Sequence, residues 1–303
     1  MADTSLQPGS ARFLDAHCHA GLDERPRRTS VIGLGHEARR ARGWVVVKSH
    51  LGSTASSARQ ARALGLPVSG SVTLNPVNGG VHWRHVERAV QEQGLSPLRL
   101  IAYLPTRVSI GHMSADSAAS SLISDGPKLR EEVLDVLAFA RDHDIVVATG
   151  HASRREVELI VAAAHRLGVP RLIITHPLLP SVGFDPSALL ELCSAECAYA
   201  EVTALGIRLG RHDAITAARV LRELPGSIFT SDFGQPESPT VRGWLDESDR
   251  YLSDGGLDAA AIETVRRINP LQLLAVAAVD TERKEDAHHQ HLAHPDDGAF
   301  REE

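Results

Sequence analysis

The stretch Phe13-Leu14-Asp15-Ala16-His17-Cys18-His19-Ala20-Gly21 sets two histidines either side of a cysteine, directly after an apolar start. In a strand, successive side chains alternate between faces, so His17 and His19 project to one side and Ala16 and Cys18 to the other. Two imidazoles on one face at a strand end can grip one metal ion. Asp15 is expected on the face of the histidines but deeper, where it either accepts an imidazole N–H and fixes its tautomer or bonds to backbone. Cys18 is expected to pack into the wall of the fold.

Outward from this stretch, short apolar and β-branched runs recur at 12–17, 44–50, 67–75, 98–105, 144–151, 171–177, 198–203 and 227–232. Segments with helical spacing separate many of them, at 57–65, 85–94, 128–144 and 155–168. Strands alternating with helices in this way predict an α/β chain folded as a single closed (β/α)8 barrel over residues 1–280. A length of 303 residues would also allow two domains, but such a barrel uses about 250 as one.

Two connections are long, 21–43 after the first strand and 106–126 after the fourth, and long loops of this kind lie over the active face of a barrel. Residues 239–256 and 257–269 read as closing helices, and 269–276 as a last helix beneath the barrel. Residues 281–303 are polar and charged, and are expected to be a disordered, solvated tail that includes His288, His289, His291 and His294.

Hydrophobic residues at 43% with 23% charged describe an ordinary soluble chain, long enough to bury a large core. A net charge of −6 gives no reason to expect nucleic acid or an anionic membrane as a partner. The N-terminus lacks a basic patch leading into an apolar run, and no window of about 18 apolar residues follows, so neither secretion nor membrane spanning is expected. Cys18, Cys193 and Cys197 make an odd count that argues against a disulfide framework and fits a reducing cytoplasm. The last two have no second Cys/His pair nearby and read as buried thiols.

The chemistry lies in what ends each predicted strand. The first ends with His17 and His19, the second with Lys48 and His50, the fifth with His151, the sixth with His176, the seventh with Glu201 and the eighth with Asp232. A single histidine in such a place is usually structural. Five of them with two carboxylates on the C-terminal rim, where barrel enzymes carry catalytic groups, point to a metal centre. Thr149, Thr175, Thr203 and Ser231 stand beside these residues as hydrogen-bond partners or packing residues. His82, His85, His143, His165 and His212 fall in or beside helices and are expected to be solvated, whereas His36 and His112 belong to the long loops.

Taken in order, DAHCH, VVVKSH, GHAS, THP, TSD and the late NPLQLL resemble the metal-dependent amidohydrolase superfamily over roughly residues 12–276. That family carries an HxH on strand one, a bridging lysine or glutamate in mid-chain, histidines on strands five and six and an aspartate on strand eight. One departure stands out: its bridging lysine comes from strand four, which here reads LIAYLP with neither lysine nor acid at its end. Lys48 is on the second strand instead, with His50 two residues on, and this VKSH pairing resembles the DUF6282 branch of amidohydrolase-like barrels.

The resemblance implies metal ligation by His17, His19, His50, His151, His176, Glu201 and Asp232, with Asp232 and Lys48 as the catalytic groups. Two chemistries follow from it. The branch implies a nonheme diiron monooxygenase of secondary metabolism, in antibiotic biosynthesis, holding two Fe(II) ions. It would hydroxylate a CoA-linked, lipophilic, diterpenoid-type substrate with O2 and an external electron donor. The alternative is a binuclear zinc hydrolase of an ester, amide or lactone, in which Asp232 takes a proton from the attacking water. Imidazole and carboxylate serve iron and zinc alike. A binding protein without turnover would be marked by a missing ligand, and none is missing. Arg25, Arg27, Arg28, Arg84, Arg107 and Lys128 either pair with the phosphates of an acyl-CoA or are ordinary solvated charges. Its apolar tail would lie by residues 103–108 and 109–114.

Overall fold

The computed structural model describes residues 7–109, 112–113, 120–193 and 198–276. Parallel strands pair in chain order: β1 (Leu14–His19), β2 (Trp44–Lys48), β3 (Val68–Ser69), β4 (Ser71–Thr73), β5 (Ile101–Tyr103), β6 (Val146–Ala148), β7 (Leu172–Ile174), β8 (Ala198–Thr203) and β9 (Ser227–Thr230). β3 and β4 are two halves of the third barrel strand, divided at Gly70, where a Cβ would run into the backbone of Ala55 at the start of the preceding helix. The segment leaving β9 returns to β1 through Asp232 N–H to His17 O at 2.8 Å and His19 N–H to Phe233 O at 2.7 Å. Those two bonds close the cylinder, as the alternation of strand and helix predicts.

Two apolar layers follow from the strand period. Leu14, Ala16, Val46, Ile101, Tyr103, Val146, Ala148, Ile173 and Ile228 fill the inside of the barrel. Val45, Val47, Val72, Val147, Ile174 and Phe229 face out, onto the helices. Those helices include α1 (Val31–Arg40), α2 (Ala55–Ala63), α3 (Trp83–Gln93), α4 (Glu131–Asp142), α5 (Arg154–Leu167), α6 (Pro186–Leu192), α7 (Ala214–Glu223) and α8 (Val241–Asp254). Local signals fix their ends: Ser153 and Glu156 form a reciprocal capping box at the start of α5, and Gly168 closes it in the left-handed region. The last helix, α9 (Asn269–Leu274), plugs the bottom, with Asn269 Nδ2 donating to Pro225 O at 2.8 Å and Ser227 O at 2.7 Å.

β1 departs from simple alternation. Its pairing with β2 slips between Asp15 and Cys18, a β-bulge that reverses the phase of the strand. Below the bulge Leu14 and Ala16 face the barrel interior; above it Cys18 joins the outer layer, with Sγ at 3.3 Å from Val46 O. The expectations that Ala16 shares a face with Cys18 and that Asp15 shares one with the histidines are therefore corrected. Asp15 takes the backbone alternative, its Oδ1 accepting from His17 N at 3.2 Å and Ser231 N at 3.0 Å.

The connection after β5 is also more ordered than a plain loop, since Arg107–Ser109 pairs with His112–Met113 and Ser124–Asp125 with Lys128–Leu129. The second hairpin delays α4 to Glu131. Cys197 and the tail 281–303 lie outside the described residues.

Gly150 has φ 65°, and a methyl there would overlap Leu104 O, whose neighbour Pro105 O receives the His151 N–H at 3.0 Å. Gly150→Ala is expected to cost about 2 kcal/mol or more, read as a lowered denaturant midpoint. A change below about 0.5 kcal/mol would contradict the tight approach.

Candidate metal centre

The upper ends of the strands bring the sequence-predicted histidines together. Ring centroids are 5.3 Å apart for His17 and His19, 5.3 Å for His17 and His176, 5.5 Å for His176 and His151, 6.3 Å for His151 and His50, and 5.1 Å for His50 and His19. Five imidazoles thus close a ring. His17 Nε2 faces Lys48 Nζ at 3.2 Å, and that ammonium lies 4.5 Å above the Tyr103 ring.

Asp232 joins three of the imidazoles. Its Oδ1 lies 3.2 Å from both His17 Nε2 and His19 Nε2, and its Oδ2 lies 3.6 Å from His176 Nε2. The outer nitrogens are held from behind. His17 Nδ1 bonds Glu201 Oε1 at 2.9 Å, His19 Nδ1 bonds Asp23 Oδ2 at 3.1 Å, and His50 Nδ1 bonds Thr106 Oγ1 at 2.8 Å. With the proton on Nδ1, each ring presents Nε2 as a ligand, the arrangement by which carboxylates and hydroxyls orient metal-binding histidines. Asn75 fixes the third of these, donating to His50 O at 2.9 Å and to Thr106 Oγ1 at 3.1 Å.

Two clusters emerge, each with one donor atom per residue within 4.8 Å of the others: His17, His176 and Asp232, and His19, Asp23 and His50, where Asp23 meets His19 through Nδ1 and so orients the ring that offers Nε2. Imidazole and carboxylate donors in such triplets fit zinc or ferrous iron. His151 closes the imidazole ring without belonging to either triplet. Glu201 is likewise outside both, spent on His17 and on Thr230 Oγ1 at 3.1 Å. Its buried Oε2 lies 3.7 Å from His176 Nδ1, and neither atom has a hydrogen-bond partner among the described residues. Glu201 thus orients His17 through one oxygen and leaves the other unpaired beside His176.

Asp23 is the residue that sequence reasoning missed. Its Oδ1 accepts from His50 N at 2.9 Å and Glu24 N at 2.8 Å, and its Oδ2 from Arg27 Nε at 3.0 Å and Nη2 at 2.6 Å. Burial opposes its charge, but the His19 hydrogen bond and Arg27 hold its carboxyl well below the usual range. It sits in the long first loop, where no period marks a side chain as inward; only its place four residues after His19 hinted at it.

Burial sets the protonation of the rest. It pushes His17 and His151 well below the ordinary histidine value and His176 down to about 4, leaving neutral imidazoles that can bind metal. It lowers Lys48 to about 8, against the pull of Asp232 and Glu201, and raises Asp15 to about 7. Burial also opposes charge on Asp232, but its contacts with His17, His176 and His19 hold that carboxyl well below its ordinary value. His176 and Asp232 both have φ 51°, in the left-handed region that side chains rarely adopt. Such strain concentrates at functional sites.

Several neighbours are structural. Thr149 Oγ1 accepts from Thr175 N, Thr203 caps the turn at Gly206, and Ser231 Oγ donates to His17 O. His82 caps α3, and His212 is half-buried against Gly206, contrary to the solvated position expected of it. The arginines expected at phosphates are largely committed: Arg27 forks onto Asp23 and Arg28 onto Glu37 at 2.9 and 2.8 Å, while Arg84 and Lys128 are exposed. Pro105 borders a cavity of about 250 Å³ with Leu74, Pro76, Val81 and Leu122. The side chains of 108–114 lie outside the described residues.

A family model described as a family of unknown function, DUF6282, matches residues 12–201. The chain belongs to the DUF6282 family. No curated protein matches it. Among solved structures, this DUF6282 member is similar to an amidohydrolase from Pseudomonas aeruginosa (TM-score 0.55, 12% identity, 88% of this chain and 98% of that one). It is also similar to a probable 2-pyrone-4,6-dicarboxylic acid hydrolase from Acinetobacter baumannii with citric acid bound (TM-score 0.54, 12% identity, 86% and 98%). A Burkholderia multivorans amidohydrolase with bound HEPES gives a TM-score of 0.51 at 15% identity over 86% and 98%. At such identities the likeness establishes the fold, that of the amidohydrolase-type barrels. Among the described residues no helix is long and apolar enough to cross a membrane.

The protonation of His176 has a consequence for stability. Below its ordinary value of 6.5 the unfolded chain takes up a proton that the folded protein, with His176 near 4, refuses. This group's penalty is absent above that value and grows as pH falls toward 4. Metal-free protein carrying His176→Gln should therefore lose less stability between pH 7 and about pH 5 than the parent, measured by urea denaturation. Equal losses would contradict a buried, neutral His176.

Proposed function

We propose that this DUF6282 protein is a binuclear metal-dependent hydrolase, holding two zinc ions, that cleaves an ester, amide or lactone. The observation that carries this reading is the position of Asp232, one carboxylate reached by imidazoles of both donor sets, through His17 and His176 on one side and His19 on the other. The orphaned Glu201 Oε2 and His176 Nδ1 and the strained φ at both His176 and Asp232 support a centre built for ligands it binds tightly. Bound there, two divalent ions would polarise a carbonyl and make water acidic near neutral pH.

The residues of the chain supply the remainder. Asp232 is ionised and its side chain is 16% exposed, against 1% for Glu201, so it is the carboxylate that meets substrate. It accepts the proton of the attacking water and returns it to the leaving group. Lys48, buried between His17 and Tyr103, holds a cation where negative charge builds on the carbonyl oxygen. His19, His50 and Asp23 fix the opposite wall through the Asn75 and Thr106 bonds.

A second reading is favoured by one feature: β5 ends at Tyr103 without a bridging lysine, while His50 adds an imidazole that fills positions a hydrolase keeps for water. On that reading the protein is a nonheme diiron monooxygenase acting with O2 and an external electron donor on a CoA-linked lipophilic substrate.

Metal analysis of protein purified without oxygen, joined to assays on a panel of p-nitrophenyl esters, anilides and lactones, tests the two together. About two zinc ions per chain and hydrolysis that falls at least about a thousandfold in Asp232→Asn and Lys48→Met support the hydrolase. Two irons, with oxygen uptake on addition of a reductant and an acyl-CoA and no hydrolysis, would transfer the assignment to the oxygenase. In either case Asp23→Ala should lower bound metal by about half, and full occupancy in that variant would remove Asp23 from the centre.

A further inference from the structure

Beside the donor set of His19, Asp23 and His50 stands a guanidinium without a full partner. Arg107 is only 8% exposed, and its Nε is buried and makes no hydrogen bond among the described residues. Its nearest acid is Glu24, whose Oε2 lies 3.4 Å from Nε, beyond a good N–H···O length. The other arginines of this rim show what a finished pair looks like here: Arg27 and Arg28 each place two nitrogens on one carboxylate at 2.6–3.0 Å. Arg107 makes no such fork, and its buried Nε–H is costly to leave unmet.

Its place is fixed. Asn75 Oδ1 accepts from Arg107 N at 3.0 Å and from Thr106 N at 2.7 Å, and the same Asn75 amide holds His50 O. One side chain thus ties the guanidinium's backbone to the imidazole of the centre. Arg25 and Arg27 add positive charge beside it against Glu24 and Asp23, and Asp23 is already taken up by Arg27 and His19. The balance at this edge of the mouth favours an incoming anion.

We propose that Arg107 binds an anionic oxygen group of the substrate, a carboxylate or a phosphate, and so turns the reacting group toward the metal centre; the second half rests on the hydrolase reading, the anion site does not. The substrate is accordingly an organic anion, gripped by a fork of N–H donors at one end and presented to Asp232 at the other. If Glu24 were the whole partner of Arg107, the pair would be a structural tie and no anion would bind beside it.

Calorimetric titration of the full-length, as-purified protein with glutarate and with inorganic phosphate decides this, since it needs no turnover. Metal content is measured on each sample so that a lost ion is not mistaken for a lost anion site. Arg107→Gln should weaken binding by about tenfold or more, Arg107→Lys by less, and Glu24→Gln should tighten it by removing the competing acid. Binding of glutarate alone identifies a carboxylate, and binding of phosphate alone a phosphate. If neither binds, or if affinities stay within about twofold across both Arg107→Gln and Glu24→Gln at equal metal content, the proposal is overturned. Should Arg107→Gln fail to fold by circular dichroism, the Glu24→Gln result alone decides. Because the readout is binding, a wild-type protein that binds anions but hydrolyses nothing would sink the hydrolase reading and leave the anion site standing.

Discussion

The contact of Asp232 with three imidazoles is the constraint on which both the fold and the site depend. The backbone of this residue closes the barrel, donating to His17 O, while its carboxylate reaches His17, His19 and His176. Closure and chemistry therefore share one residue, held at φ 51° by the strand seam on one side and the imidazoles on the other. A side chain in that conformation persists only when its surroundings over-determine it. Gly234 marks the same crowding, since any side chain there would collide with the backbone and Cβ of His19.

The ring of imidazoles can assemble because burial disfavours the charged forms of His17, His50, His151 and His176. Like-charged imidazolium groups at these spacings would repel strongly, and neutral ones stack and tilt against one another. The positive charge that remains belongs to Lys48, poised between Tyr103 and His17. Outside the ring, Glu201, Asp23 and Thr106 turn the imidazoles so that the nitrogens facing the centre are the ones left for ligands.

Much of this was legible in the sequence, for a physical reason. Strand ends of a parallel barrel converge, so His17, His19, Lys48, His50, His151, His176, Glu201 and Asp232 could be collected from their places after apolar runs. What escaped were features that carry no period. The bulge between Asp15 and Cys18 reverses which faces point inward without changing composition, and it sent Asp15 away from the histidines. Asp23 comes from a loop, placed by its bonds to Arg27 and to the amides of His50 and Glu24. Distances within the cluster are likewise finer than spacing conveys: Glu201 Oε1 bonds His17 Nδ1, and His151 stands between His50 and His176 in the ring.

The central claim is that two cations share this site, one with His17, His176 and Asp232 and the other with His19 and His50. Anomalous diffraction at the zinc edge from crystals grown with zinc tests it most directly. The account predicts two peaks per chain, roughly 3.5–4 Å apart as in two-metal sites, on either side of the Asp232 carboxylate. A single peak, or a pair remote from Asp232, would contradict it.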